Sequence, residues 1–297
     1  MYFTVRKISV VVKTLANTLL LPIMNSTLIS AQELQTQLGK NTLVIDCRFN
    51  LADKNQGLLQ YMQGHIPGAY YFDLEQDFSS PVKRHGGRHP LPNVEQLQEK
   101  FRRAGANQHS TIVFYDDSRM AYAAHAWWLL RYMGHKDVRI LEGGFKAWLK
   151  FKGALDKREP ATKSGNFTAK LQTDWIVNRD DILAANNLHL IDSREPRRFQ
   201  GLEEPIDPIA GHIDGAVNYP WQEITHEQGF IKPIEWQKTH WQTLTTQENL
   251  VVYCGSGVTA CVNILSLYLC GIDAKLYPGS WSDWCSYLEV KATEAKC

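Results

Sequence analysis

The sequence predicts an α/β protein in which one domain, a parallel sheet flanked by helices, is used twice. Three observations lead there. Strand-length runs of β-branched residues alternate with helical stretches. One ordered set of motifs occurs twice along the chain. The 297 residues suit two ordinary domains, which cluster at roughly 100–200 residues each.

The elements follow in chain order. Residues 1–32 carry no Asp or Glu, and Arg6, Lys7 and Lys13 flank two short apolar runs at 8–12 and 19–23. A secretory signal wants one apolar block and a small-residue cleavage site. Lys13 interrupts the block and no A-x-A site follows, so 1–25 reads as a poorly ordered extension or a start placed too early, with Met24 as the true start. A targeting leader is the weaker alternative, and the expected compartment is the cytoplasm. The first domain, 26–152, opens near Ser26 with a helical run from Ala31 to Leu38. Its strands are expected at 43–45, 112–115 and 138–141, and its helices at 94–104, 121–132 and from Phe145 onward. A polar linker, 153–170, carries Pro160 and Gly165 and few apolar residues. The second domain is 171–297.

The repeat is explicit. Leu43-Val44-Ile45-Asp46-Cys47-Arg48 and Gly64-His65-Ile66-Pro67-Gly68-Ala69 return as Leu190-Ile191-Asp192-Ser193-Arg194 and Gly211-His212-Ile213-Asp214-Gly215-Ala216. Ile112-Val113-Phe114-Tyr115-Asp116 returns as Leu250-Val251-Val252-Tyr253-Cys254. Gly143-Gly144-Phe145-Lys146-Ala147-Trp148 returns as Gly279-Ser280-Trp281-Ser282-Asp283-Trp284. What both copies keep is expected to be structural. Asp46 with Arg48, and Asp192 with Arg194, read as a repeated ion pair, and His65 and His212 as framework histidines. Trp127, Trp128, Trp281 and Trp284 read as core or interface packing.

Composition excludes several classes. The chain is 44% hydrophobic with 9 Trp, 12 Tyr and 11 Phe, which rules out disorder as the main state. The 32 basic and 31 acidic residues leave a net charge of +1, so neither nucleic acid nor an acidic membrane is an expected partner. No run approaches the ~20 apolar residues of a membrane span. The six cysteines form no C-x-x-C pair, so no zinc ribbon or thioredoxin motif is expected. Cys47, Cys261, Cys270 and Cys285 read as small buried hydrophobes.

The copies differ where chemistry is expected. Ligands bind beyond the carboxyl ends of strands in α/β sheets, and there copy one has Asp116 and copy two has Cys254. Cys254 opens the loop Gly255-Ser256-Gly257-Val258-Thr259-Ala260, followed by an amphipathic helix through Leu269. Two glycines let the backbone curl so that several N–H groups point inward as an anion nest. The helix adds its positive N-terminal end. A cysteine so placed suits a thiolate nucleophile that needs no histidine base.

Strand-CGSGVTA, preceded by Asp-x-Arg and GHIxGA in tandem copies, resembles the rhodanese superfamily, more narrowly its two-domain 3-mercaptopyruvate sulfurtransferases. The resemblance covers about 26–290. It implies two tandem rhodanese-like domains, a catalytically silent first copy, a site between the domains, and Cys254 as the residue that carries sulfur. It also implies substrate contacts from Gly255, Gly257, Val258 and Thr259. Thiosulfate-using members carry two cations after the cysteine; here Gly255 and Ser256 are neutral, which suits a thiol-bearing keto acid. Its carboxylate needs a cation, and the resemblance assigns Arg198 in Glu195-Pro196-Arg197-Arg198-Phe199; the alternative is a solvated surface charge. A second Arg is expected just after a Glu-Pro pair, but Glu204-Pro205 is followed by Ile206-Asp207, which keeps thiosulfate open as the donor. The resemblance further places Asp73 and His89 with Ser256 in a proton relay; the alternatives are a capping Asp73 and a His89 bonded to backbone.

The expected activity is sulfur transfer from 3-mercaptopyruvate, through a Cys254 persulfide, to a thiol acceptor such as a dithiol protein, or to cyanide. No metal or organic cofactor is expected, and the expected state is a monomer. Rival readings are a thiosulfate:cyanide sulfurtransferase and a non-enzymatic sulfide sensor or partner-binding module. A cysteine phosphatase would need Arg six positions after the cysteine, where Ala260 stands.

Overall fold

A computed structural model describes residues 27–288. The leader reading for 1–25, the opening at Ser26 and Cys297 lie outside them.

Two all-parallel sheets carry the chain. In the first, β1 (Leu28–Ile29), β2 (Thr42–Asp46), β3 (Tyr70–Tyr71), β4 (Thr111–Tyr115) and β5 (Val138–Leu141) lie in the order β1-β5-β4-β2-β3. In the second, β6 (His189–Asp192), β7 (Val217–Asn218), β8 (Leu250–Tyr253) and β9 (Lys275–Leu276) lie in the order β7-β6-β8-β9. The repeat is visible in the register: Asp46 pairs with Tyr115, and Asp192 with Tyr253. The second counterpart of β1 is reduced to one parallel bridge, Ile176 to Leu276.

Helices α1 (Ala31–Gln37), α2 (Gln56–Gln63), α3 (Val94–Arg103), α4 (Ala121–Tyr132) and α5 (Gly144–Lys150) belong to the first copy. Helices α6 (Arg179–Ala184), α7 (Pro196–Phe199), α8 (Ile234–His240), α9 (Ala260–Leu269) and α10 (Ser280–Trp284) belong to the second. Their starts follow local chemistry: Ser30 and Glu33 form a capping box on α1, and Asn178 and Asp181 form one on α6.

The shared motifs hold each copy's frame. The Arg48 guanidinium bonds both Asp46 oxygens and the Gly64 carbonyl, and Arg194 does the same with Asp192 and Gly211. Tyr115 and Tyr253 hydroxyls accept from the N–H of Ile66 and Ile213. The histidines are framework too: His65 meets the Tyr61 carbonyl and stacks on Tyr61, and His212 meets the Phe199 carbonyl and stacks on Phe199. A buried Asp-Arg pair bonded to a loop carbonyl satisfies its own donors and fixes the GHI turn against the strand ends.

One expectation needs correction. Helix α9 is not amphipathic in use, because every residue from Ala260 to Leu269 except Tyr268 is buried. Helix α4 of the first copy packs on its outer face, where Trp127 meets Tyr268 at 5.6 Å and Arg131 lies over both rings. The polar linker is tied down rather than loose: Phe167 is fully buried, and backbone bonds join Lys163, Gly165 and Phe167 to Arg103, Arg102 and Ala106.

Candidate functional site

Strand β8 ends at Tyr253 and delivers Cys254 to the floor of a cavity of about 220 Å³. Residues of both copies line it, among them Arg88, His89 and Tyr122 from the first and Arg198, Ser256 and Thr259 from the second. Gly257 makes the loop possible. Its φ of +80° is a left-handed value, and a Cβ there would meet the Pro278 carbonyl oxygen at 2.4 Å. The N–H groups of residues 255–259 donate no hydrogen bond within the described chain.

Copy one demonstrates what such a loop binds. Asp116, at the Cys254 position, places its carboxylate in the equivalent curl and accepts from the N–H groups of Ser118, Met120, Tyr122 and Ala123 at 2.9–3.1 Å. Burial pushes the Asp116 carboxyl up, and those backbone donors oppose the push. Asp116 thus satisfies the N–H groups of its own loop, whereas those of residues 255–259 have no acceptor among the described residues.

Four other cysteines lie among the described residues. Burial pushes Cys47 and Cys261 well above the ordinary thiol range and raises Cys270 and Cys285 to about 11. Cys47, Cys261 and Cys285 are buried and Cys270 partly so. All five described cysteines are free.

Of the expected relay, the structure brings two members together. His89 Nδ1 lies 2.8 Å from Ser256 Oγ, and both residues are buried. Burial, with Arg88 and Lys54 adding positive charge, lowers the His89 pKa to about 4, so its ring is neutral near pH 7. Among the described residues no hydrogen bond joins Asp73 to His89 or Ser256. Its carboxylate accepts from the N–H groups of Glu75 and Gln76 and from the Tyr71 hydroxyl, which makes it a turn cap.

Arg198 is no solvated surface charge, since its side chain is 12% exposed. It donates to Glu204 at 2.7 Å and to Asp207 at 3.3 Å. Burial works against the Glu204 charge, but Arg198 and the Asp207 and Ile206 N–H groups outweigh it and hold its carboxyl below the usual range. Arg194 also reaches Glu204, at 3.1 Å, which joins the framework pair to the site.

Sequence reasoning missed Arg88, which pairs with Asp207 across the domain boundary. The signal lay in Arg84-His85-Gly86-Gly87-Arg88-His89, where two glycines sit among cations. Gly87, at φ +82°, packs so tightly that a Cβ would meet the Gly279 carbonyl oxygen at 2.5 Å. Gly86 N donates to Asp283, Arg88 N donates to Ser282, and His85 stacks on Tyr287. This loop of copy one is therefore fastened to copy two, and it carries both His89 and Arg88 to the cysteine. Among the described residues, no group of three or more His, Cys, Asp or Glu side chains could hold a metal ion.

Paired parallel sheets with a cysteine set in a backbone cradle after the third strand of the second one define a tandem rhodanese. The chain belongs to that family: the rhodanese-like domain model matches residues 30–151 and again 179–287. It is 40% identical over 267 residues to a Pseudomonas aeruginosa protein provisionally named 3-mercaptopyruvate sulfurtransferase, covering 86% of this chain and 94% of that one. It is 37% identical over 271 residues to a Mycobacterium tuberculosis protein provisionally named thiosulfate sulfurtransferase SseB, covering 87% and 94%. The crystal structure of SseA from Escherichia coli, described as a 3-mercaptopyruvate sulfotransferase, superposes with a TM-score of 0.76 at 31% identity, covering 86% of this chain and 98% of that one.

Proposed function

We propose that this rhodanese is a sulfurtransferase that takes sulfur from 3-mercaptopyruvate onto Cys254 and passes it to a thiol. The observation that carries the reading is Cys254 heading a loop whose N–H groups have no protein acceptor among the described residues, in a cavity it shares with the Arg88 and Arg198 guanidiniums. The relatives provisionally or plainly named for mercaptopyruvate support the choice of donor.

The Cys254 thiolate attacks the mercapto sulfur. An S–S bond forms as the S–CH2 bond breaks, and the electron pair leaves on carbon as the pyruvate enolate. The proton carried by the donor thiol suffices to quench that carbanion, and the Ser256 hydroxyl, held by neutral His89, is placed to relay it. Loop N–H groups stabilise the anionic outer sulfur. A second thiolate then attacks the outer sulfur and releases Cys254. A dithiol acceptor ends as a disulfide plus hydrosulfide; cyanide ends as thiocyanate. Arg198 binds the donor carboxylate, and Gly255, Gly257, Val258 and Thr259 shape the nest. Residues 26–152 form the silent domain, 153–170 the linker and 171–297 the catalytic domain. Asp73 caps the turn that follows β3. The acceptor we favour is a dithiol protein, and the setting a reducing cytoplasm, which suits the five free thiols among the described residues. Among the described residues no helix is long and apolar enough to cross a membrane.

A second reading, thiosulfate as donor, is favoured by the Mycobacterium tuberculosis relative. Measured kcat/KM for the two donors decides between them. Mercaptopyruvate preferred by about tenfold or more supports our reading; the reverse preference overturns it. Mass spectrometry of donor-treated protein should find one added sulfur on Cys254, and none on Cys254→Ser.

A further inference from the structure

The segment Glu204-Pro205-Ile206-Asp207 carries an acid where the resemblance calls for a second arginine. We infer that Arg88, from the first domain, supplies that missing cation: it binds the donor carboxylate together with Arg198, and Asp207 aims it. This inference rests on the proposed use of an α-keto carboxylate donor.

The geometry is specific. Arg88 Nη1 pairs with Asp207 Oδ1, and Arg198 Nη2 lies 3.3 Å from Asp207 Oδ2. Both oxygens of this carboxylate, whose side chain is 2% exposed, are thus committed, one to each guanidinium. Asp207 holds the two arginines side by side. Arg88 Nη2 donates no hydrogen bond among the described residues, and Arg198 Nη1 has only Glu195, at 3.9 Å. Both guanidiniums lie against Gly255, the residue after Cys254. A Cβ built on Gly255 would meet Arg88 Nη2 at 3.0 Å and Arg198 Nη2 and Nη1 at 3.4 and 3.6 Å.

Two N–H donors on neighbouring guanidiniums suit the two oxygens of one carboxylate. The charges around the pair are Arg88, Arg194 and Arg198 against Asp192, Glu195, Glu204 and Asp207, three cations to four acids. A monoanionic carboxylate therefore adds less repulsion than a dianion does. Because one arginine comes from each copy, donor recognition is complete only when the domains are docked.

The test compares 3-mercaptopyruvate with mercaptoacetone, in which a methyl replaces the carboxylate. Arg88→Met should lower kcat/KM for mercaptopyruvate at least about tenfold more than for mercaptoacetone, chiefly through KM, and Arg88→Lys should recover part of the loss. Pyruvate binding to Cys254→Ser protein should weaken about tenfold when Arg88→Met is added. An unchanged denaturant midpoint shows that the variant folds. Equal losses on both donors, or pyruvate binding that ignores Arg88, overturns the assignment. A wild-type protein that does not turn over mercaptopyruvate sinks the proposed function instead, while the pyruvate arm still decides about Arg88.

Discussion

Cys254 and Asp116 occupy the same point in the two copies and use it in opposite ways. The carboxylate of Asp116 closes its nest with four backbone bonds, so Asp116→Ala leaves buried N–H groups without partners. Denaturant unfolding should show a loss of about 2–5 kcal/mol. Cys254→Ser should keep the fold and abolish sulfur loading. His89 is a subtler case. Its ring is neutral down to about pH 4, so it serves Ser256 by orientation and hydrogen bonding rather than as a cation. His89→Gln should lower kcat by about tenfold or more while moving KM less, read from steady-state rates with mercaptopyruvate.

The loop and the helices that frame it act as units. Gly257 is needed twice, for its positive φ and for the approach of Pro278. Gly257→Ala should cost about 2 kcal/mol or more in stability and misplace the nest, which a lower denaturant midpoint and slower persulfide formation would report. Most elements were legible in the sequence: the expected strands and helices agree with β2, β4, β5, α3 and α4 to within a residue at each end, because their apolar periodicity is strong. The role of α9 was not legible. Its nine buried residues reflect cover by α4, some 138 positions earlier in the chain, and no local pattern announces such a partner. The turn-capping bonds of Asp73 were not legible for a related reason: an acid that caps a turn and an acid that relays a proton look alike until their neighbours are placed.

The whole molecule is held by burial across both copies, including several histidines kept neutral. Burial lowers His89 and His240 to about 4 and His125 to about 3, against 6.5 when unfolded. As pH falls, the unfolded chain therefore takes up protons first. Stability is complete above about pH 6.5 and declines as pH drops from there toward 4. Melting temperatures between pH 7 and 5 should fall, and His125→Gln should flatten that slope. By itself the sequence determined the duplication, the parallel sheets, the framework ion pairs and the cysteine that replaces Asp116 at the end of the matching strand, because each is written in short-range periodicity or in a difference between aligned copies. Only the tertiary structure decided that Asp116 fills its own nest, that Asp73 caps a turn, and that Arg88 faces Arg198 across the domain boundary. Those facts depend on which distant groups meet in a low-dielectric cleft, and chain order does not encode such meetings locally.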